Sequence, residues 1–313
     1  MIFRSKVGLG TSGYAWKEEM IPRHQEKMAK AIEMGYRLFD TAEQYADGRA
    51  ETMLGKAIAE SGVPREEFDI VSKIQPMKVT SRSDLRSVLQ GTLDRLQTDY
   101  VDAYLLHWFG PNLNIEQCVE WWAELVRDGL IRHVGVSNLA GRTIAEWQHY
   151  QLSYPKEQHL KVIQFRYGPV HRFPDQHFMS GNRVVSWNTS FDSELTGMPH
   201  SIFGGGRSSG YQRPEQNPSS SYRGDFWEMP ELKLIKPIAD SIGATIPQLL
   251  IAFFNLRHPW AVSIPKSFKP NHLQENLDSV KFTSLITNSI TEEINKIFPV
   301  PALAKPESYE TRK

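Results

Sequence analysis

Four polar side chains capable of acid–base chemistry lie at or just beyond the ends of successive apolar runs. Asp40 ends one run and Tyr45 follows it, Lys73 ends the next, and His107 ends a third. Hydride addition to a carbonyl builds negative charge on oxygen and needs a proton donor within hydrogen-bond reach. A phenol has a pKa of about 10, which a nearby ammonium lowers, while a carboxylate holds that ammonium in place. The set indicates carbonyl reduction, with Tyr45 as acid, Lys73 tuning it, Asp40 anchoring Lys73, and His107 orienting the carbonyl.

Each of these residues also has a structural interpretation when it is taken alone. Asp40 could cap the following turn, Lys73 could be a solvated strand end, and His107 could be a hydrogen-bonded edge histidine. Most polar residues have no chemical role, so a single residue would favour that interpretation. Their occurrence together, each at the end of an apolar run, favours the chemical one.

The elements that must position these residues alternate along the chain. Helical stretches are predicted at about 23–34, 49–61, 83–96 and 115–128, with Ser81 and Ser83 as caps and Gly129 as a helix end. Strands are predicted at Val7–Leu9, Tyr36–Phe39, Phe68–Lys73, Tyr100–Leu106, Ile131–Val136, Val162–Phe165, Val184–Trp187 and Ala261–Ile264. Eight βα units predict an α/β fold, the (β/α)8 TIM barrel, in which the carboxyl ends of the strands converge on one mouth.

One segment interrupts the alternation. Residues from Gly197 to Tyr222 are rich in Gly, Ser, Pro and Arg, which predicts either a functional loop or a solvated insertion. We expect a single barrel domain over residues 1–313, with a cofactor or substrate loop at 197–228 and a C-terminal tail at 299–313. Arg207, Arg213 and Arg223 would suit a lid over a pyrophosphate, or an ordinary surface loop.

Composition excludes several classes of protein. The 313 residues contain 36 basic and 36 acidic side chains, so no overall field would attract nucleic acid or a membrane. The single cysteine, Cys118, excludes an internal disulfide and a multi-cysteine zinc site, and it is expected to fill space in a helix. We predict no metal site. No secretory signal or membrane-length apolar run is present, so a cytoplasmic protein is expected.

A glycine motif near the N-terminus has a weaker interpretation. Gly8-Leu-Gly-Thr-Ser-Gly13 matches the G-x-G-x-x-G pattern of dinucleotide-binding turns. No apolar helix begins at Gly13, as such a turn requires, and Pro22 follows soon after. The motif is therefore predicted to form the first loop of the barrel mouth, where glycines let the backbone approach a ligand.

Several segments resemble the aldo-keto reductase superfamily. They are Gly35-Tyr-Arg-Leu-Phe-Asp-Thr-Ala-Glu-Gln-Tyr45, Ser72-Lys73, Leu105-Leu-His107 and Val134-Gly-Val-Ser-Asn138. The resemblance runs from about Val7 to Asn276, and the 197–228 loop is similar to that of the aflatoxin-aldehyde-reductase branch. It implies the same mechanism, with Tyr45 as general acid assisted by Lys73, Asp40 and His107.

The resemblance also implies a nicotinamide cofactor held across the mouth. It assigns the nicotinamide half to Gly10, Thr11, Ser137, Asn138 and Gln164, with an aromatic residue stacked on the ring. It assigns the 2′-phosphate to Lys266 and Ser267, and the adenine to Glu275 and Asn276.

Two positions depart from the family pattern. Trp187 replaces the usual stacking tyrosine, and a core-filling role for it stays open. His272 replaces an arginine of the phosphate segment, and neutral histidine holds a phosphate less firmly than a bidentate guanidinium. NADPH is expected as the cofactor, and NADH becomes a credible second one.

Aromatic residues near the mouth suggest a bulky or aromatic aldehyde or ketone as the substrate, although ordinary packing could also explain them. They are Tyr14, Trp16, Trp108, Phe109 and Trp227. Two other functions stay open: a cofactor-binding regulatory subunit with little turnover, and a biosynthetic enzyme of this fold recruited to another reaction.

Overall fold

In the described part of the chain, seven parallel strands form a single sheet in the same order as in the sequence. The computed structural model describes residues 2–139, 141–165, 167–169, 194–203 and 230–299. Each strand pairs with the next, from β1 to β7. The strands are β1 (Leu9–Gly10), β2 (Leu38–Asp40), β3 (Asp69–Ile74), β4 (Val101–Leu106), β5 (Ile131–Ser137), β6 (Leu160–Gln164) and β7 (Thr196–Gly197).

An eighth segment closes the sheet into a barrel. Ala261 forms a parallel bridge with Gly197, and Ser263 forms one with Val7. The Val262 N–H donates to the Gly197 carbonyl at 2.8 Å, and the Gly8 N–H donates to the Ser263 carbonyl at 2.8 Å. The predicted last strand at Ala261–Ile264 therefore occupies the gap between β7 and the segment that leads into β1, and the α/β barrel is confirmed.

Helices pack around the outside of this sheet. Five of them follow successive strands: α1 (Ile21–Glu33), α2 (Arg49–Glu60), α3 (Arg82–Leu96), α4 (Ile115–Arg127) and α5 (Gly141–Tyr150). The C-terminal part contributes α6 (Leu232–Ser241), α7 (Ile246–Arg257), α8 (Pro270–Asp278) and α9 (Asn288–Ile297). Apolar side chains of α6, α7 and α9 form a second core cluster beside the main one.

Ser81 and Gly129 are confirmed as helix ends, whereas Ser83, also predicted as a cap, lies inside the first turn of α3. The Ser81 hydroxyl accepts the Asp84 N–H at 3.2 Å and caps α3. Gly129 has a φ of +72°, a left-handed conformation that glycine adopts at little steric cost and that ends the helical path after α4. The turn at Gly129 fixes where β5 begins, and hence which residues of β5 reach the mouth.

Two layers of inward-facing residues follow from the period-two geometry of strands. The floor layer comprises Leu38, Val71, Leu105 and Val162, which share one buried apolar cluster inside the barrel. Two residues further along the same strands, the mouth layer comprises Asp40, Lys73, His107 and Gln164, all buried. Gly135 of β5 leaves room for Leu105, since a Cβ there would lie 2.4 Å from the Leu105 side chain.

The seventh strand differs from the prediction. Thr196 pairs with Val162, and Gly197 pairs with Ile163, so this segment holds the position next to β6. The predicted segment Val184–Trp187 lies outside the described residues. A two-residue strand has too little length to show an alternating pattern, which is why the sequence pattern favoured the longer apolar run.

Within the described residues, no single helix is long and apolar enough to cross a bilayer. Only α6 and α7 taken together reach that length and composition, and an 80° bend separates them.

Candidate active site

Asp40, Lys73 and Tyr45 are brought together at the barrel mouth. The Lys73 ammonium lies 2.7 Å from Asp40 Oδ1 and donates to the Thr41 carbonyl at 2.6 Å. It also lies 3.4 Å from the Tyr45 hydroxyl and 5.0 Å from the centre of the phenol ring. Strands β2 and β3 are paired neighbours, which is why two residues 33 positions apart form an ion pair. The predicted Asp40–Lys73–Tyr45 arrangement is present.

The Lys73 side chain is completely buried, and its charge depends on its partners. Burial alone lowers the pKa of this ammonium, but the charges of Asp40 and Tyr45 and their hydrogen bonds outweigh that effect. The pKa of Lys73 is therefore raised above its usual value, and the ammonium persists at neutral pH. A permanent cation beside a phenol favours the phenolate that forms when the phenol gives up its proton.

Gln164 contacts the acid–base group directly. Its Nε2 donates to Asp40 Oδ1 at 2.7 Å, so one carboxylate oxygen accepts from both Gln164 and Lys73. The resemblance assigns Gln164 to a cofactor carboxamide, and no sequence pattern predicts this contact with Asp40. The two residues are 124 positions apart, and only the closure of the barrel brings β6 opposite β2.

His107 is buried at the end of β4, and its backbone N–H donates to the Ile74 carbonyl at 3.0 Å. Burial, together with the charges of Lys73 and His200, holds the pKa of the imidazole well below its usual range. His107 is therefore neutral at physiological pH. Its ring lies edge-on to Tyr45 at 6.0 Å, and Nδ1 has no hydrogen-bond partner in the described part of the chain. A buried polar atom of this kind calls for an explanation, and a polar ligand is one.

The first loop of the mouth is fastened to the Asp40 backbone. The Thr11 N–H and hydroxyl both donate to the Asp40 carbonyl, at 2.8 and 3.1 Å. Gly10 pairs with Asp40 in register, and both Gly10 and Thr11 are buried. The segment that the resemblance assigns to the nicotinamide half thus lies beside the Asp40 carboxylate.

Ser137 and Asn138 end β5 on the same edge of the barrel. Asn138 has a φ of +55°, and its Nδ2 donates to the Ser137 hydroxyl at 3.0 Å and to the His107 carbonyl at 3.2 Å. The Asn138 N–H donates to the Gln164 carbonyl at 2.8 Å. These contacts hold the amide of Asn138 in one orientation next to His107.

His200 is a mouth residue that no sequence pattern predicted. It follows β7, and its Nε2 lies 3.4 Å from Asn138 Oδ1. Trp187, predicted to stack on the nicotinamide, lies outside the described residues, so its role stays a prediction. The seventh strand leads instead to His200. The signal that could have identified His200 is the end of β7, but a strand of two residues is too short to show an alternating pattern.

The predicted phosphate segment follows the closing strand. Lys266 is partly buried, burial lowers the pKa of its ammonium, and Ser267 is buried beside it. The segment continues into α8, which carries a buried Asn276 and the partly exposed His272 and Glu275. A cation whose charge is disfavoured by burial gains from an anionic neighbour, so this donor set suits a phosphate.

The predicted aromatic pocket is only partly assembled at the mouth. The Trp108 ring lies 5.0 Å from that of His107 and is partly exposed, and Phe109 packs on the main core. Trp16 is 66% exposed. Trp227 lies outside the described residues.

Tyr14 belongs to a different environment from the one predicted. It is fully buried, its ring lies tilted against those of Phe268 and His24, and its hydroxyl donates to the Ser267 carbonyl at 2.7 Å. Its position is explained by packing: the large ring fills the space between the first loop and the 264–276 segment. Tyr14 therefore supports the segment of Lys266 and does not line an open pocket.

Curated proteins with similar sequences include enzymes and a channel-associated protein. Methylglyoxal reductase DkgA of Escherichia coli O157:H7 is 30% identical over 277 residues, which cover 87% of this chain and 82% of that protein. A candidate voltage-gated potassium channel beta subunit of Schizosaccharomyces pombe is 26% identical over 295 residues, covering 86% and 82%.

Solved structures with the same fold include cofactor complexes. A thermostable aldo-keto reductase with the inhibitor epalrestat has a TM-score of 0.69 and 30% identity, covering 94% of this chain and 95% of that one. An aldo/keto reductase from Klebsiella pneumoniae with NADP and acetate has a TM-score of 0.71 and 26% identity, covering 95% and 92%. The model of the Aldo/keto reductase family matches residues 6–297. With its sequence, its barrel and this match in agreement, the chain belongs to the aldo/keto reductase family.

Proposed function

We propose that this protein reduces an aldehyde or ketone to an alcohol with NADPH, and that Tyr45 is the general acid. The observation that carries the proposal is the buried Lys73–Asp40 ion pair with its ammonium 3.4 Å from the Tyr45 hydroxyl. A buried charge pair is costly to maintain, and its placement against a phenol is what proton donation to a carbonyl requires.

The side chains divide the work as follows. A reduced nicotinamide bound at the mouth supplies the hydride. The Tyr45 O–H bond breaks as its proton moves to the carbonyl oxygen, and Lys73 stabilises the phenolate left behind. Asp40, held by Gln164, keeps the charge of Lys73 compensated. The phenolate regains a proton from solvent after the alcohol leaves.

His107 has a separate task. Since its pKa lies well below the usual range, the imidazole is neutral and is a poor proton source. A neutral imidazole still donates one hydrogen bond, and this bond would orient the carbonyl oxygen towards Tyr45. Trp108 beside it is the described aromatic residue best placed to contact a bulky or aromatic substituent.

The cofactor would lie from Asn138 to α8. Ser137, Asn138, Gly10 and Thr11 would hold the nicotinamide half, while Lys266, Ser267 and His272 would hold the 2′-phosphate and Glu275 and Asn276 the adenine. NADPH is favoured because Lys266 and Ser267 suit an anion, and the relative from Klebsiella pneumoniae was crystallised with NADP. NADH is the second candidate because His272 replaces the expected arginine.

A titration followed by turnover tests this proposal. Tryptophan fluorescence of the purified protein is measured against NADPH and NADH. Absorbance of the reduced nicotinamide is then followed with methylglyoxal and a panel of aromatic aldehydes. We expect tighter binding of NADPH than of NADH, oxidation of the cofactor in the wild type and much slower oxidation in Tyr45→Phe. Lys266→Ala should weaken NADPH far more than NADH, and equal losses would remove Lys266 from the phosphate site.

A second candidate function is a cofactor-binding regulatory subunit. The similarity to the candidate potassium channel beta subunit favours it. Tight cofactor binding without oxidation of NADPH by any carbonyl in the panel would support this function and contradict the reductase. A product that forms equally well without NADPH would instead indicate an enzyme recruited to another reaction. Failure of both cofactors to bind would contradict the cofactor assignment.

A further inference from the structure

His200 is held firmly at the carboxyl end of β7. Its N–H donates to the Phe165 carbonyl at 2.9 Å, and its carbonyl accepts the Tyr167 N–H at 3.3 Å. The next residue, Ser201, has a φ of +58°, so the chain turns sharply there. The His200 ring is partly exposed. Its backbone is therefore tied to the segment after β6 while its ring projects at the mouth side of the sheet.

The contacts of the ring determine its neutral tautomer. Asn138 Nδ2 donates to two oxygens, the Ser137 hydroxyl and the His107 carbonyl, so Asn138 Oδ1 is the end that faces His200. Nε2 of His200 must then carry the proton and donate to Oδ1. Nδ1, which lies 3.0 Å from the Ser201 hydroxyl, accepts from it. His200 is thus a donor that fixes the Asn138 amide, and Nδ1 is the nitrogen that would take up a second proton.

A second proton on His200 would add a net positive charge to the mouth. The Lys73 ammonium and the Asp40 carboxylate compensate each other at 2.7 Å. Among the described groups at the mouth, the imidazole of His107 is neutral near pH 7, because burial and the charges of Lys73 and His200 hold its pKa well below the usual range. Tyr167, after β6, contacts His200 through its backbone, and its ring lies 5.3 Å from that of His258.

The charge of the cofactor ring changes during the reaction. A reduced nicotinamide is neutral, whereas an oxidised one carries a positive charge. A cation beside the amide that binds the nicotinamide would repel only the oxidised form.

We propose that His200 sets the preference for the redox state of the cofactor: it orients the Asn138 amide and, when protonated, weakens binding of the oxidised form relative to the reduced form. The inference rests on the proposed function, because it requires a nicotinamide carboxamide at Asn138. It gives this chain a pH-dependent release of oxidised cofactor, since imidazoles titrate near physiological pH.

Calorimetric titration of the same protein with NADP+ and NADPH, at pH 8 and at pH 6, tests the inference. The ratio of the two dissociation constants is the readout. The 2′-phosphate and the residues that hold it are common to both ligands, so their titration cancels from the ratio. For the wild type we expect the ratio of the NADP+ constant to the NADPH constant to rise roughly fivefold on acidification.

Three variants complete the test. His200→Gln keeps a donor to Asn138 Oδ1 but cannot titrate, so its ratio should be the same at both pH values. His200→Lys carries a permanent charge and should show the high ratio at pH 8 as well. His149→Gln, on an exposed position of α5, is the matched control and should keep the wild-type pH dependence. Thermal melts of each variant confirm that it is folded.

The outcomes separate the inference from the proposed function. A constant ratio in the wild type, with both ligands binding, overturns the inference and leaves the reductase proposal intact. A pH-dependent ratio in His200→Gln overturns it as well. Failure of both ligands to bind at either pH overturns the inference and the proposed cofactor together.

Discussion

The floor layer and the mouth layer of the barrel are built from the same strands, two residues apart, yet they are opposite in chemistry. The floor layer is apolar and packs around Leu105, in the space that Gly135 leaves open. The mouth layer carries a buried lysine, a buried carboxylate, an imidazole and an amide. The floor layer buries apolar side chains, as protein interiors usually do, whereas the mouth layer buries polar and charged ones. Stability and chemistry are thus placed on one face of each strand, separated by a single pleat.

The mouth layer tolerates its buried charges because each one has a partner. Asp40 Oδ1 accepts from Lys73 and Gln164, and Lys73 also donates to the Thr41 carbonyl. Removing one partner would leave an uncompensated charge, which costs more than the intact pair contributes. We therefore expect a substitution in the mouth layer to change the chemistry or the charge balance, and one in the floor layer to change the packing.

The largest effect should come from Tyr45→Phe, which removes a proton donor from the mouth without changing its shape. We expect kcat to fall by about 10²–10⁴-fold, because the hydroxyl acts only in the transition state. The dissociation constant for NADPH should change little. Steady-state kinetics and fluorescence titration measure the two quantities, with Tyr150→Phe on the surface as the control. Near-normal kcat in Tyr45→Phe would show that another group is the acid.

Asp40→Asn should break the charge balance of the mouth. The Lys73 ammonium would lose its countercharge while buried, and we expect a loss of about 3–5 kcal/mol in the free energy of unfolding. Urea unfolding at pH 7 measures it. Asp240→Asn removes one partner of an exposed pair with Lys236 on α6 and should cost at most about 0.5 kcal/mol. Equal losses in the two variants would mean that burial does not distinguish the pairs.

Leu105→Ala tests the floor layer by itself. The substitution leaves a cavity beneath the mouth, and a loss of about 2–4 kcal/mol in unfolding free energy is expected. The Michaelis constant for the carbonyl should stay within about threefold, since no polar contact at the mouth is removed. Leu152→Ala, on a residue that is 73% exposed, is the matched control and should have little effect. A marked fall in kcat in Leu105→Ala would indicate that the floor layer also positions His107.

The smallest effect concerns the pH dependence of stability. Since the pKa of His107 is depressed in the folded state, the unfolded chain takes up a proton below about pH 6.5 that the folded chain does not. This imidazole therefore contributes stability that is present above that pH and is lost as pH falls, by up to about 2 kcal/mol at pH 5. His107→Gln should flatten the curve of unfolding free energy between pH 7 and pH 5.

The exposed His149→Gln is the control for this measurement. It should leave the pH dependence as it is in the wild type. If His107→Gln also leaves the curve unchanged, the imidazole of His107 titrates alike in the folded and unfolded states.

The strands and helices of the first half of the barrel could be predicted from the sequence. Strands β3 to β5 have at least six residues, long enough to show a buried run, and α2 to α4 begin and end within one residue of the predicted bounds. The placement of Asp40, Lys73 and His107 followed, because parallel strands in a barrel end at the same mouth. The placement of Tyr45 at the same mouth could also be predicted, because it follows Asp40 closely in the chain.

The sequence by itself therefore determined the fold class and indicated the candidate acid–base residues, because both depend on local periodicity and on strand ends. The tertiary structure decided which segment is the seventh strand, that Gln164 holds Asp40, that Tyr14 supports Ser267, and that His200 reaches Asn138. These contacts join residues that are 62 to 253 positions apart. No local pattern encodes such contacts, since they exist only once strands and loops that are distant in the chain are packed together in the barrel.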